Sequence, residues 1–151
     1  MSNRGIEIRQ ATAEDLDLLV PLFDAYRQFY RQPSDPERAR HFLFDRFARS
    51  QSTVFLAFEN AVAVGFTQLY PSFSSMGMAR IFILNDLFVA PESRRRGAGT
   101  ALLEKAAEYG RRTGAIRLVL STEITNTTAQ AAYESLGWKR NTVLYTYELT
   151  L

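Results

Sequence analysis

Apolar and polar residues alternate over residues 6–11 (IEIRQA), the period of a half-buried strand. The period then lengthens. Thr12 stands three residues before Asp15, a capping-box spacing, and Leu16, Leu19, Val20, Phe23, Tyr26 and Tyr30 follow along one helical face. Ser34 and Glu37 repeat the spacing and predict a second helix, with Ala39, Phe42, Leu43 and Phe47 inward and Arg38, Asp45, Arg46 and Arg49 outward. Beyond Ser50 the chain turns β-rich, and TVFLAFE and AVAVGFTQLYPSFSS predict an antiparallel hairpin turning at Glu59 and Asn60. RIFILNDLFV, residues 80–89, is apolar enough for a strand buried on both faces. A glycine turn and a helix to about Thr113 come next, with Gly114 as the stop signal. IRLVLS (116–121) predicts a fifth strand, NTTAQAAYESL (126–136) a fourth helix closed by Gly137, and TVLYTYEL (142–149) a last alternating strand. With no repeats or linkers, residues 1–151 predict one α/β domain, antiparallel strands first and a parallel βαβ unit at its centre.

Composition narrows the chemistry. The 151 residues are 46% hydrophobic and 23% charged, ordinary for a globular domain. The chain contains no cysteine, which excludes disulfides, thiolate zinc sites and a cysteine-bound acyl intermediate. A single histidine, His41, reads as a surface or boundary residue and leaves almost nothing to build a histidine metal site, so no metal is expected. The net charge of +2 is too small to suggest nucleic acid as a partner. Neither a signal-like start nor an apolar run of membrane-spanning length stands out, so the expectation is a cytoplasmic protein with no membrane partner.

The densest positive charge stands where chemistry is expected. In VAPESRRRGAGTALLEKA (89–106), Arg94, Arg95 and Arg96 run into Gly97, Ala98 and Gly99 at the mouth of a helix. Backbone N–H groups there have no partner inside the helix, and the helix dipole adds roughly half a positive charge. Glycines let a ligand press against those amides, which makes a site for a bulky polyanion such as a pyrophosphate. A Walker loop needs a lysine that this turn lacks, and a Rossmann turn needs a glycine where Leu102 stands. The competing reading is a solvated basic turn, the usual meaning of a charge run.

Arg94, Gly97 and Gly99, after Leu87 and Val89, match the coenzyme loop of the GCN5-related N-acetyltransferase (GNAT) superfamily, which the chain resembles. Asn126, Ala129, Tyr133, Gly137 and Trp138 match a second signature of that superfamily at the right separation. ILNDLFV and STEITNTTAQAAYESLGW look most like its fungal histone and polyamine branch and the bacterial relatives of that branch. The resemblance implies a mixed, mostly antiparallel central sheet flanked by helices and splayed between its fourth and fifth strands. It implies an acetyl-CoA-dependent N-acetyltransferase, with direct attack by the amine in a ternary complex. Arg94, Arg95, Arg96, Gly97, Ala98, Gly99 and Thr100 would then grip the pyrophosphate. Leu87, Phe88 and Val89 would pair with the pantetheine arm, and an N–H near Phe88 or Val89 would polarise the thioester carbonyl. Tyr133 would be the general acid, and Asn126, a helix cap in its own right, would also touch the arm.

The base is where the chain departs from the family pattern. Many relatives carry glutamate where Asn85 stands, and asparagine cannot take a proton near neutral pH. Asp86 follows it, though strict strand alternation points it to the other face unless a bulge re-aims it. Glu123 is another acidic candidate, and a base acting through water is a further route. Strand-end and capping roles compete for both carboxylates. Tyr26, Phe29, Tyr30 and Phe73, with Asp86 and Glu123, would line a pocket for a cationic amine, although burial in the core is the simpler role of each aromatic. The expected partners are acetyl-CoA and a small primary amine, a polyamine or an amino acid. A protein lysine or N-terminal acceptor and a non-catalytic acyl-CoA sensor stay open as alternatives. The last strand places aromatic side chains at a sheet edge, a region through which relatives of the fungal branch associate, so a homodimer is expected.

Overall fold

The computed structural model describes residues 5–151, which form two units, one ending at Leu120 and one running from Ser121 to Leu151. The first unit holds the sheet, built from β1 (Ile6–Gln10), β2 (Thr53–Glu59), β3 (Val62–Ser74), β4 (Ala79–Val89) and β5 (Leu118–Val119), in that spatial order. The first four strands pair antiparallel and β5 joins β4 in parallel, giving the mixed α/β sheet that the sequence implied. The β2–β3 turn falls one residue later than expected, at Asn60 and Ala61. Both have positive φ, 52° and 68°, as a two-residue turn matching the strand twist requires.

Helix α1 (Leu16–Phe29) follows a short 3-10 turn opened by the expected box: Thr12 accepts from the Glu14 N–H while Asp15 accepts from the Thr12 N–H. Its inner residues Leu19, Val20 and Phe23 pack with Leu43, Leu56, Phe66 and Phe88 in one core cluster. Helix α2 (Pro36–Ala48) is capped by Asp35, which accepts from the Arg38 N–H, and not by Ser34. Pro36 in the first turn sets the cap at the residue before it. The Ser34 hydroxyl donates instead to the buried Asp24 carboxylate at 2.7 Å, joined by the Asp35 N–H at 2.8 Å and Gln28 Nε2 at 3.1 Å. Helix α3 (Ala98–Arg112) lies on the opposite face, where its Tyr109 ring meets Phe55 and Phe82.

The fifth strand is shorter than the six residues expected. Among the described residues only Leu118 and Val119 pair with this side of β4, at Phe82 and Ile83, so β4 runs on from Leu84 to Val89 with no strand paired to its outer edge. That open edge is the splay between the fourth and fifth strands.

The second unit contains α4 (Thr127–Ser135), capped by Asn126, which accepts from the Ala129 N–H at 3.2 Å. Gly137, at φ 95°, follows the helix end as its stop signal. The expected strand over 142–149 does not form, and residues 139–151 are exposed and outside any helix or strand. Alternation sets which side chains share a face, but a strand also needs a neighbour for its N–H and C=O groups. No described helix is long and apolar enough to cross a membrane.

Asp24 pins the connection between α1 and α2. Burial pushes its pKa up, but the bonds from Ser34, Asp35 and Gln28 and the nearby Arg27 charge outweigh it and hold the carboxyl below its ordinary value. A depressed pKa gives stability that is present above the unfolded value and lost as the pH falls through the folded one. Asp24→Asn is therefore expected to cost about 2 kcal/mol at neutral pH. In urea titrations the gap from the unsubstituted protein should close as the pH falls below about 4.

Candidate active site

The register of β3 on β4 steps between Gln68, opposite Asp86, and Leu69, opposite Leu84, so Asn85 is an extra residue in β4. Before this bulge, Phe82 faces α3 and meets Tyr109. After it, Phe88, an even number of residues on, faces α1 and meets Tyr26, Phe29 and Phe66. One inserted residue exchanges the two faces, and Asp86 goes with Phe88.

Asp86 is only 4% exposed, yet it is well supplied with donors. Gln68 Nε2 donates to one carboxylate oxygen at 2.6 Å and Asn85 Nδ2 to the other at 3.0 Å. The Thr67 hydroxyl donates to the Asp86 carbonyl at 2.8 Å, and the Tyr26 hydroxyl donates to the Asn85 carbonyl at 3.4 Å. Burial, and then the Asp86 charge, push the Tyr26 hydroxyl far above its ordinary value. The same two causes push Tyr70 up to about 12. Both phenols therefore stay protonated near neutral pH, and that of Tyr26 acts as a donor. A carboxylate only accepts, so the Gln68 NH2 must face Asp86, and this leaves Gln68 Oε1 a buried acceptor with no partner among the described residues. Such an acceptor favours an ordered water or an N–H group beside the carboxylate.

The aromatic residues divide. Tyr26 is half-buried against Phe66 and Phe88. Phe29 and Tyr30 are 55% and 41% exposed, so the core role expected of them fails; Tyr30 is already the C-cap of α1, past its last turn. Together they make a rim, with Tyr30 edge-on to Tyr26 at 5.2 Å and Phe29 at 6.5 Å from Phe88. Phe73 lies outside this group. It is 69% exposed, under the Arg80 guanidinium, five residues along β3 from Gln68 and thus ~17 Å away.

At the glycine turn, Gly97 is the N-cap of α3 at φ 95°, a conformation that favours glycine, and no side chain caps the helix. Among the described residues, no protein group accepts from the backbone N–H groups of residues 95–100. Ala98 is buried, while Gly99 and Thr100 are half-buried at the first turn. The three arginines do different things. Arg96 pairs with Glu59 at 3.3 Å, and Arg95 is exposed. Arg94 turns back, donating Nε–H to the Val89 carbonyl at 2.8 Å, with its guanidinium over Phe29 and Phe88 at 5.4 and 5.6 Å.

The Ala90 N–H donates to Val64 of β3, so by alternation Phe88 also faces β3 while Leu87 and Val89 turn their backbone groups to the open edge. Of the two N–H groups expected near the thioester, that of Val89 faces outward and that of Phe88 does not. Unpaired helix amides, a left-handed glycine and an open strand edge suit an anion joined to an amide-bearing arm.

In the second unit, Tyr133 is half-buried with its ring 6.2 Å from Trp138, and its carbonyl accepts from the Trp138 N–H. Glu123 is exposed, and its carbonyl accepts from Gln130 Nε2. Gln68 and Tyr70 were not singled out in the sequence. The signal was a polar residue inside the apolar run GFTQLY, since a buried amide needs a polar partner. A cavity of about 520 Å³ opens near the other end of β4, among Phe44, Phe47, Pro71, Arg80 and Tyr109, and holds none of the expected site residues.

The family model of the Acetyltransferase (GNAT) family matches residues 19–138. The uncharacterized N-acetyltransferase YhfO of Bacillus subtilis is 46% identical over 146 residues, 97% of this chain and 98% of that protein. A crystal structure of a probable acetyltransferase superposes with a TM-score of 0.91 at 44% identity, covering 96% of this chain and 97% of the other. At greater distance, the D-amino-acid N-acetyltransferase HPA3 of Saccharomyces cerevisiae is 27% identical over 96% of this chain and 92% of its own length. Residue signatures, sheet topology and these likenesses agree, and the chain belongs to the acetyltransferase (GNAT) family.

Proposed function

We propose that residues 1–151 form one cytoplasmic N-acetyltransferase domain that acetylates the primary amine of a small molecule, either a polyamine or an amino acid, in a ternary complex with acetyl-CoA. The observation that carries this reading is the bulge at Asn85, which delivers Asp86 beneath an aromatic rim and beside the open edge of β4. A carboxylate there attracts a cationic amine, and aromatic faces favour its approach. The name of the yeast relative, a D-amino-acid N-acetyltransferase, supports a small acceptor.

Acetyl-CoA supplies the activated acetyl group and a thiolate that can leave. The backbone amides of residues 95–100, with Arg95, hold its phosphates, and the outward groups of Leu87 hold its arm. Asp86, reached through a water at Gln68 Oε1, takes the proton released by the acceptor ammonium. The neutral nitrogen forms the C–N bond as the C–S bond breaks, and the Val89 N–H donates to the carbonyl oxygen during attack. Tyr133 gives its hydroxyl proton to the departing sulfur, a role carried by the family signature around it, and the second proton that the nitrogen sheds as the amide forms returns the phenolate to its neutral form. Asn85 keeps Asp86 in place and is not the base. In this reading Asn126 touches the pantetheine arm and Glu123 the acceptor. A homodimer remains part of the reading, because Tyr145 and Tyr147 are each 91% exposed and apolar surface of that kind invites cover.

The test is release of free thiol from acetyl-CoA with spermidine, free amino acids and a lysine-containing peptide. Turnover with a small amine supports the reading; turnover with the peptide alone moves the enzyme to protein acceptors, and none with any amine leaves a sensor. The coenzyme grip is tested by Gly99→Val. A Cβ at Gly99 meets only Val89 Cγ2, at 3.9 Å, an ordinary contact, and an unchanged Tm checks that the fold holds. Acetyl-CoA affinity should nevertheless fall at least tenfold by calorimetry, about 1.4 kcal/mol, and an unchanged value would reduce the loop to a turn.

Tyr133→Phe removes only a hydroxyl. Turnover should fall on the order of a hundredfold while coenzyme affinity and Tm hold. Full turnover would remove Tyr133 from the chemistry.

A further inference from the structure

Arg94 belongs by sequence to the coenzyme loop, yet its side chain points elsewhere. Its Nε–H is engaged by the Val89 carbonyl, and its guanidinium plane lies over Phe29 and Phe88. Its two terminal NH2 groups donate to no protein group among the described residues. They form a fork suited to a carboxylate. Asp86 stands two residues from Phe88 on the same strand face, ~7 Å along it. Opposite charges therefore bracket one aromatic ring, the anion deep and held by Gln68 and Asn85, the cation exposed at the rim.

This arrangement discriminates between the two small acceptors. A polyamine carries only positive charge, which Asp86 attracts and Arg94 repels at the same mouth. An α-amino acid carries its ammonium and carboxylate two bonds apart, so one molecule presents a cation to Asp86, through the water at Gln68 Oε1, and an anion to Arg94. We propose that the acceptor is an α-amino acid with an apolar side chain, its amine drawn to Asp86, its carboxylate gripped by the free end of Arg94, and its side chain on the Phe29 and Tyr30 rim. The proposal rests on the reading of the Asp86 cluster as the acceptor pocket and adds a specificity residue to it.

Leucine and 3-methylbutylamine differ only in the carboxylate, which makes them the probes. Their kcat/KM values with acetyl-CoA, and their Kd values for the protein saturated with CoA, are compared for the unsubstituted protein, Arg94→Gln and Arg94→Lys. Both enantiomers of leucine are used. Because both probes share one coenzyme site, any effect of Arg94 on acetyl-CoA cancels in the leucine-to-amine ratio. The better leucine enantiomer should be preferred at least tenfold, the preference should fall close to one in Arg94→Gln, and Arg94→Lys should restore part of it. A purely structural role for Arg94 would weaken both probes alike and leave the ratio unchanged. That result, or an unsubstituted protein that takes the amine as readily as leucine, overturns the proposal. If neither probe binds or reacts while acetyl-CoA still binds, the acceptor pocket itself is misassigned and the proposal falls with it.

Discussion

One extra residue in β4 organises the active site. Strand geometry alternates side chains with a period of two, so inserting Asn85 reverses which residues face α1 and which face α3. Without it, Asp86 would share a face with Phe82 and Tyr109, away from the α1 aromatics. With it, a carboxylate enters an otherwise apolar wall, where an ion without partners is strongly disfavoured. Gln68 and Asn85 bond the carboxylate, and the Tyr26 hydroxyl bonds the bulge backbone. The bulge and its polar cluster thus depend on each other: the cluster stabilises the charge that the bulge turns inward.

The same strand serves two purposes without conflict because its face and its edge are distinct. Side chains of Asp86 and Phe88 project onto the α1 face, while the backbone groups of Leu87 and Val89 look out along the edge that β5 leaves open. The loop that follows completes the edge. Gly97 takes up a left-handed conformation, and the start of α3, with Gly99 beside Val89, presents amides that pair with no protein group among the described residues. Arg94 links the two, with its backbone in the loop and its guanidinium over the aromatic rim.

That rim depends on a small polar lock in the α1–α2 connection. Phe29 and Tyr30 sit at the end of α1 with much of their surface in solvent, an arrangement that packing alone does not enforce. Asp24 draws Ser34, the Asp35 backbone and Gln28 onto one carboxylate, so the chain leaving the rim is held from below. Asp35 then caps α2 immediately beyond it.

Much of this was legible in the sequence because it depends on local physics. Period, caps and glycine stops placed every strand of the sheet and all four helices, and the run of Arg94, Arg95 and Arg96 into Gly97 and Gly99 located the loop, since a helix mouth and a left-handed turn are properties of consecutive residues. What depends on a partner was not legible. The α2 cap moved from Ser34 to Asp35 because Ser34 is claimed by Asp24, ten residues earlier. The strand expected over 142–149 did not form, because alternation names a face but supplies no neighbour for the backbone. Phe29 and Tyr30 share the helical stripe of Phe23, and only the sheet beneath decides how far along that stripe burial extends. The face of Asp86 was left open by the sequence, since a bulge is a mismatch between two strands and exists only once both are paired.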